Sequence, residues 1–142
     1  MQKRRELGEM NKSEAVLCWK TIVFAYRTVV DELEYKLKEK GFSISKFQIL
    51  YMLYFQAPLK PVHLAKEIKV SKANISTFIK RMKMEDLVKE VYLGGEKWPH
   101  YELTSKGSKI FEEVFPDHVD IISQLIKPMP QELMSYLLKI IK

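Results

Sequence analysis

Lys72, Asn74 and Thr77 lie in the run Val70-Ser71-Lys72-Ala73-Asn74-Ile75-Ser76-Thr77-Phe78-Ile79-Lys80-Arg81-Met82, whose apolar members recur at helical steps. As a helix capped by Ser71, this run turns Ile75, Phe78, Ile79 and Met82 inward, with Leu87 beyond them. Lys72, Ala73, Asn74, Ser76, Thr77, Lys80 and Arg81 stay outside. That outer set carries the chemistry of duplex recognition. A lysine ammonium donates to the acceptors of a guanine edge, and an asparagine amide matches adenine. Lys72, Asn74 and Thr77 are the base-reading candidates, because the N-terminal part of such a helix enters the major groove. Ser71, Ser76, Lys80 and Arg81 are the phosphate candidates, which hold a helix on DNA without reading sequence. The plainer reading of the same residues is a solvated basic helix with no nucleic-acid partner.

Charge supports the first reading. Between Lys60 and Lys83 stand seven basic residues (Lys60, Lys66, Lys69, Lys72, Lys80, Arg81 and Lys83) and one acid, Glu67. This local surplus equals the net charge of +6 for all 142 residues, since the flanking segments cancel. A concentrated basic stretch on a nearly neutral frame is the electrostatic footprint of a DNA-binding head.

Other chemistries find no support. His63, His100, His118 and Cys18 are scattered over separate elements without metal-ligand spacing. Gly94-Gly95-Glu96-Lys97 lacks the spacing of a phosphate loop and the hydroxyl residue after its lysine. No Ser-His-Asp, Cys-His or paired-carboxylate arrangement is visible, so neither an enzyme nor a cofactor is expected. A single cysteine excludes an internal disulfide. No apolar run reaches the ~18 residues of a membrane span, and Met-Gln-Lys-Arg-Arg has no apolar core after it. The expectation is a soluble, cytoplasmic protein with no membrane partner.

The elements that position the run are readable in turn. Asn11 and Glu14 form a capping box, and nothing breaks a helix from there to Lys40. Ala15, Cys18, Ile22, Tyr26, Val29, Leu33 and Leu37 make one apolar stripe, and Gly41 suits the position after its end. Such a helix would be roughly 42 Å long, too long for a small domain to cover, so its stripe implies a second copy of the chain. Ser45 and Gln48 suggest the cap of a second helix burying Phe47, Leu50 and Leu53 and ending at Ala57-Pro58. Pro61 opens a short third helix with Leu64, Ala65 and Ile68 inside. Val88–Leu93 and His100–Thr104 read as strands of a hairpin around Gly94-Gly95. Its tip offers Lys97 to a phosphate or a minor groove; the alternative is a plain exposed turn, with Glu96 beside Lys97 weakening the attraction. Helix resumes from Ser105 to Lys127, interrupted or kinked at Pro116, and returns after Pro128-Met129-Pro130.

The expected fold is therefore mainly α (α+β): a winged helix-turn-helix with a β-hairpin wing, flanked by N- and C-terminal helices. Residues 1–142 read as one domain, with 45–104 as the DNA-binding part and 11–40 and 105–142 as dimerisation helices.

The run Val70 to Met82, then Leu87-Val88, then Leu103-Thr104-Ser105-Lys106-Gly107, resembles the MarR family of transcription regulators. Leu64-Ala65-Lys66-Glu67-Ile68 fits the helix before it, and the resemblance covers roughly residues 13–142, including Phe115-Pro116-Asp117-His118 and Met129-Pro130-Gln131-Glu132-Leu133. It implies a homodimeric winged-helix repressor or activator on a pseudo-palindromic double-stranded DNA site, with repressor preferred. It also implies release by a small aromatic or phenolic ligand, or by oxidation. The family wing usually carries Asp-Arg where this chain has Glu96-Lys97-Trp98. Thr77 stands where many members have arginine, Lys69 where a turn glycine is common, and Lys60 where a hydroxyl cap is common. Together these imply an altered DNA site. Leu17-Cys18-Trp19 resembles the Leu-Cys-Phe segment of the organic-hydroperoxide-sensing branch, which would make Cys18 an oxidisable thiolate; an inert buried cysteine on the stripe is the alternative. A winged-helix module that contacts protein and not DNA is the remaining alternative in function.

Overall fold

The computed structural model describes residues 11–127 and 129–141, so the N-terminal ten residues and Pro128 of the Pro-Met-Pro break lie outside the described residues. The elements run α1 (Lys12–Glu39), α2 (Ile44–Gln56), α3 (Pro61–Ile68), α4 (Lys72–Met84), β1 (Val88–Val91), β2 (His100–Leu103), α5 (Ser105–Ile126) and α6 (Gln131–Ile141). The fold is mainly α, with a two-stranded hairpin as wing. The residues fall into two compact units, one ending at Glu32 and one beginning at Leu33.

The N-terminal unit is the first part of α1. Its start is the expected capping box: Asn11 N–H donates to Glu14 Oε2 at 3.2 Å, and Glu14 N–H to Asn11 Oδ1 at 2.9 Å. Leu17, Trp19, Phe24 and Tyr26 are all exposed. Leu17 and Phe24 are seven residues apart and lie opposite the predicted stripe, so this helix is apolar on both sides.

The second unit holds the core. α1 ends in a Schellman turn: Gly41, at φ +79°, donates its N–H to Lys38 C=O, and Phe42 N–H reaches Leu37 C=O. Leu37 and Phe42 are both buried there. This turn corrects the expected start of the next helix. The chain leaves it extended at Ser43, whose hydroxyl accepts from Lys46 N–H at 3.1 Å. Ser43, not Ser45, is the N-cap, and α2 begins two residues sooner than a cap at Ser45 would allow. Phe47, Leu50 and Leu53 are buried as expected, joined by Ile49 and Met52. Leu64, Ile75, Ile79, Met82, Leu87 and Phe111 complete the core.

The strands are shorter than the sequence suggested, Val88 pairing with Leu103 and Val91 with His100. Within the loop 92–99 that joins the strands, a turn across Gly94 and Gly95, both at positive φ, is held by Glu96 N–H donating to Leu93 C=O at 2.9 Å. The other edge of β2 is also held, for Leu59 and Tyr101 exchange backbone hydrogen bonds of 3.1 and 2.8 Å.

Pro116 does not interrupt α5, which runs through it as one helix of 22 residues. Phe111, Val114, Phe115 and His118 hold the two halves against the core, which offsets the hydrogen bond the proline cannot donate. His118 is buried with its ring 4.0 Å from that of Phe47, and its Nδ1 has no hydrogen-bond partner. Burial pushes its pKa below the ordinary histidine value. The neutral ring is then the folded form, so its stabilisation is complete above about pH 6.5 and is lost as pH falls through the lowered pKa. The melting temperature should therefore drop as pH falls below about 6.5, and His118→Phe should remove part of that drop. Equal pH dependence in both proteins would refute the assignment.

Candidate nucleic-acid interface

The candidate head is α3, a turn and α4. α3 closes on Lys69, which adopts the left-handed conformation at φ 59° and ψ 45° that a glycine takes at lower cost. Val70 N–H then donates to Ala65 C=O at 3.0 Å. Ser71 caps α4, its hydroxyl accepting from Asn74 N–H at 3.1 Å. Ile75, Ile79 and Met82 are buried, and Phe78 is half-buried beside them.

This places Ser71, Lys72, Asn74, Ser76, Thr77, Lys80 and Arg81 together on the exposed side of one helix. Two hydroxyls have local work as well. Ser71 spends acceptor capacity on the cap but keeps its own proton for a phosphate. Thr77 donates its proton to Ala73 C=O at 3.0 Å, which leaves its methyl group for a thymine methyl or its oxygen as an acceptor.

Ion pairs divide the seven cations. Lys83 Nζ lies 2.5 Å from Glu90 Oε1, and Lys60 Nζ lies 3.7 Å from Glu96 Oε2. Lys66, Lys69, Lys72, Lys80 and Arg81 have no ion-pair partner among the described residues. The unpaired cations are therefore those on α3, the turn and the outer side of α4.

The wing tip presents Lys97 and Trp98, with Lys97 Nζ 5.4 Å from the indole centre and Trp98 well exposed. Glu96 pairs with Lys60 and lies 3.4 Å from His100 Nδ1, forming no ion pair with its neighbour Lys97. Sequence alone put that acid against Lys97; the fold gives it other partners.

Residues the sequence marked only as a motif fasten the end of α4. Asp86 turns left-handed at φ 59°, and Leu87 N–H donates to Met82 C=O at 2.9 Å. Thr104 Oγ1 donates to Asp86 C=O at 2.6 Å and accepts from Gly107 N–H at 3.0 Å, while Thr104 N–H reaches Leu87 C=O. Lys106 Nζ donates to Glu85 C=O at 2.9 Å. The last turn of α4 and the first turn of α5 thus form one joint. A glycine in the first turns of a helix, where alanine has the better propensity, was the available signal of a close approach.

A cavity of about 600 Å³ opens beside this joint. Its lining is apolar at Phe42, Leu87, Ile110 and Val114 and charged at Lys40, Lys46, Lys106, Glu85 and Glu113. Lys46 is paired with Glu85 at 2.5 Å and stands 5.0 Å from the Phe42 ring centre; Lys40 is paired with Asp117.

Cys18 is exposed on α1, not buried, and no described residue hydrogen-bonds its thiol. Among the described residues no group of histidine, cysteine and carboxylate side chains could hold a metal ion, and no helix is long and apolar enough to cross a membrane.

Residues 42–90, from the turn before α2 to the middle of β1, match the family model described as MarR family. Over these 49 of its 142 residues the chain is similar to the MarR family. Its fold matches AbsC, a MarR family transcriptional regulator from Streptomyces coelicolor, with TM-score 0.82 and 24% identity over 94% of this chain and 93% of that one. It also matches Sco3205, a MarR family regulator from the same organism solved in complex with DNA, with TM-score 0.81 and 22% identity over 97% and 89%. The HTH-type transcriptional regulator MhqR of Bacillus subtilis (strain 168) is 20% identical over 109 residues, covering 76% of this chain and 75% of its own. The solved structures, below 25% identity, share the winged-helix fold of this chain.

Proposed function

We propose that this chain is a DNA-binding transcription regulator of the MarR family and acts as a homodimeric repressor on a pseudo-palindromic DNA site, reading bases with Lys72, Asn74 and Thr77. Ser71, Ser76, Lys80 and Arg81 engage phosphates, and Lys97 adds a contact from the wing. The observation that carries this reading is the shared exposed side of α4, where Lys72, Lys80 and Arg81 have no ion-pair partner among the described residues. Exposure of Trp19 and Phe24 on α1, and of Leu138 and Ile141 on α6, supports a second copy as the cover of these helices. Two reading helices would then enter successive major grooves about 34 Å apart.

The decisive measurement is affinity for duplex DNA selected from the source genome, followed against salt. Log affinity should fall linearly with log salt, with a slope near −0.9 for each phosphate engaged. An intact dimer that binds no duplex at low salt would make the chain a protein-contact module instead. Asn74→Ala should cost about 1–3 kcal/mol at one base position per half-site and relax preference there. Selection of an unchanged site by the variant would remove Asn74 from the base-reading set.

Release by a small aromatic acid or phenol is supported by the cavity at the α4–α5 joint, with apolar Phe42, Leu87, Ile110 and Val114 in its lining. A ligand there would act on the joint that fixes α4, and so on the separation of two heads. Oxidative release through Cys18 follows from the resemblance of Leu17-Cys18-Trp19 to the hydroperoxide-sensing segment, and requires that the second copy leave the thiol accessible. If that reading holds, peroxide releases the wild type from DNA and leaves Cys18→Ser bound.

A further inference from the structure

The head has an unequal pair of lysines on one groove. Lys80 and Lys83 both line a cavity of about 290 Å³ between α4, the start of α3 and the wing, together with Pro61, Ser76, Met84 and Tyr101. Lys80 has no ion-pair partner among the described residues. Lys83 is held by Glu90 of β1 at 2.5 Å, and the Tyr92 hydroxyl donates to the second oxygen of the same carboxylate at 3.1 Å. A carboxylate with both oxygens engaged offers an ammonium what a phosphate would offer: two acceptor oxygens and a negative charge.

We propose that Glu90 is a positioning residue that occupies Lys83 in place of a DNA phosphate and so limits how many phosphates the head engages. The inference rests on the DNA-binding reading above. Two effects act together. Lys83 is neutralised where it would meet the duplex, and the Glu90 charge itself repels an approaching strand when no lysine covers it. The groups bear the mark of the pairing: the Lys83 ammonium and the Tyr92 hydroxyl hold the Glu90 carboxyl below its usual range, and the carboxylate raises Lys83. Phosphate binding is indifferent to sequence, so withholding one lysine lowers the hold on all DNA while base preference stays with α4. A regulator that must leave its site is served by a weaker sequence-independent grip.

The test compares four dimers, namely wild type, Glu90→Gln, Lys83→Met and the double variant, on a selected duplex and on a random one from about 50 to 300 mM salt. Glu90→Gln should bind both duplexes roughly two- to fivefold more tightly near 0.1 M salt. Its salt slope should steepen by about 0.9 for each protomer on the DNA. Lys83→Met alone should keep the wild-type slope, and the double variant should share that slope while binding both duplexes slightly more tightly, because the uncovered Glu90 charge is gone. The proposal is overturned if Glu90→Gln keeps the wild-type slope, or if Lys83→Met by itself flattens it. The second arm decides the matter even if Glu90→Gln folds poorly. Absence of salt-dependent binding by the wild type would be a different result, since it removes the DNA-binding reading itself.

Discussion

Gly107→Ala should cost about 3 kcal/mol of stability or more, the largest effect expected of any single methyl group in this chain. An added Cβ would stand 2.1 Å from the Leu87 carbonyl oxygen and 3.0 Å from its carbon. Overpacking is usually relieved by a side chain that swings away. Here the obstacle is backbone, and it is fixed from several directions. The Leu87 oxygen accepts from Thr104 N–H at 3.0 Å, Asp86 C=O accepts from the Thr104 hydroxyl, and Leu87 itself is buried. Relief requires α5 to move off the end of α4, which breaks these bonds. In a chain of this size the destabilisation corresponds to a fall of roughly 10 °C in melting temperature. A calorimetric or denaturant melt would check it, and a variant within about 0.5 kcal/mol of wild type would show that the two backbones do not approach this closely.

The largest effect expected on binding comes from Lys80→Ala combined with Arg81→Ala. Both side chains are exposed and neither has an ion-pair partner among the described residues, so the fold should be untouched. On the proposed reading two cations leave each protomer, and with them four charge-assisted phosphate bonds per dimer. That is about 10²–10³-fold in affinity near 0.1 M salt. The salt slope should flatten by about 0.9 for each phosphate no longer engaged, equally on a selected and a random duplex. Weakening confined to the selected duplex would move these residues from the phosphate set to the base-reading set. Full retention of affinity would place the interface elsewhere.

How much of this was legible depends on distance along the chain. The Asn11–Glu14 box, the left-handed Gly41, the Ser71 cap and the outward set on α4 are local matters, and local residue chemistry decides them. Ser43 and Ser45 are equally good caps in isolation. The choice fell to the turn that buries Phe42 on Leu37, which no count of spacing weighs. Pro116 read as an interruption or a kink because propensity is local; the interruption is absent, since aromatic packing of Phe111 and Phe115 on Phe47 holds the helix across it. The partners of Lys60 and Lys83 were also out of reach. Glu96 and Glu90 find them only once the hairpin has a register and lies against the head. The site was legible as a set of residue types, and its division into engaged and unengaged cations was not.

The joint between α4 and α5 has a mechanical meaning. With carbonyls of residues 85 to 87 gripped by Thr104 and Lys106, and no room for slack at Gly107, the two helices rotate as one piece. α5 spans 22 residues, roughly 33 Å, so a swing of about 5° about its first turn carries its far end by about 3 Å. Run in reverse, a small push on the distant end of α5 becomes a tilt of the reading helix by the same angle. The glycine that looked like a weakness in a helix is what makes that helix a crank.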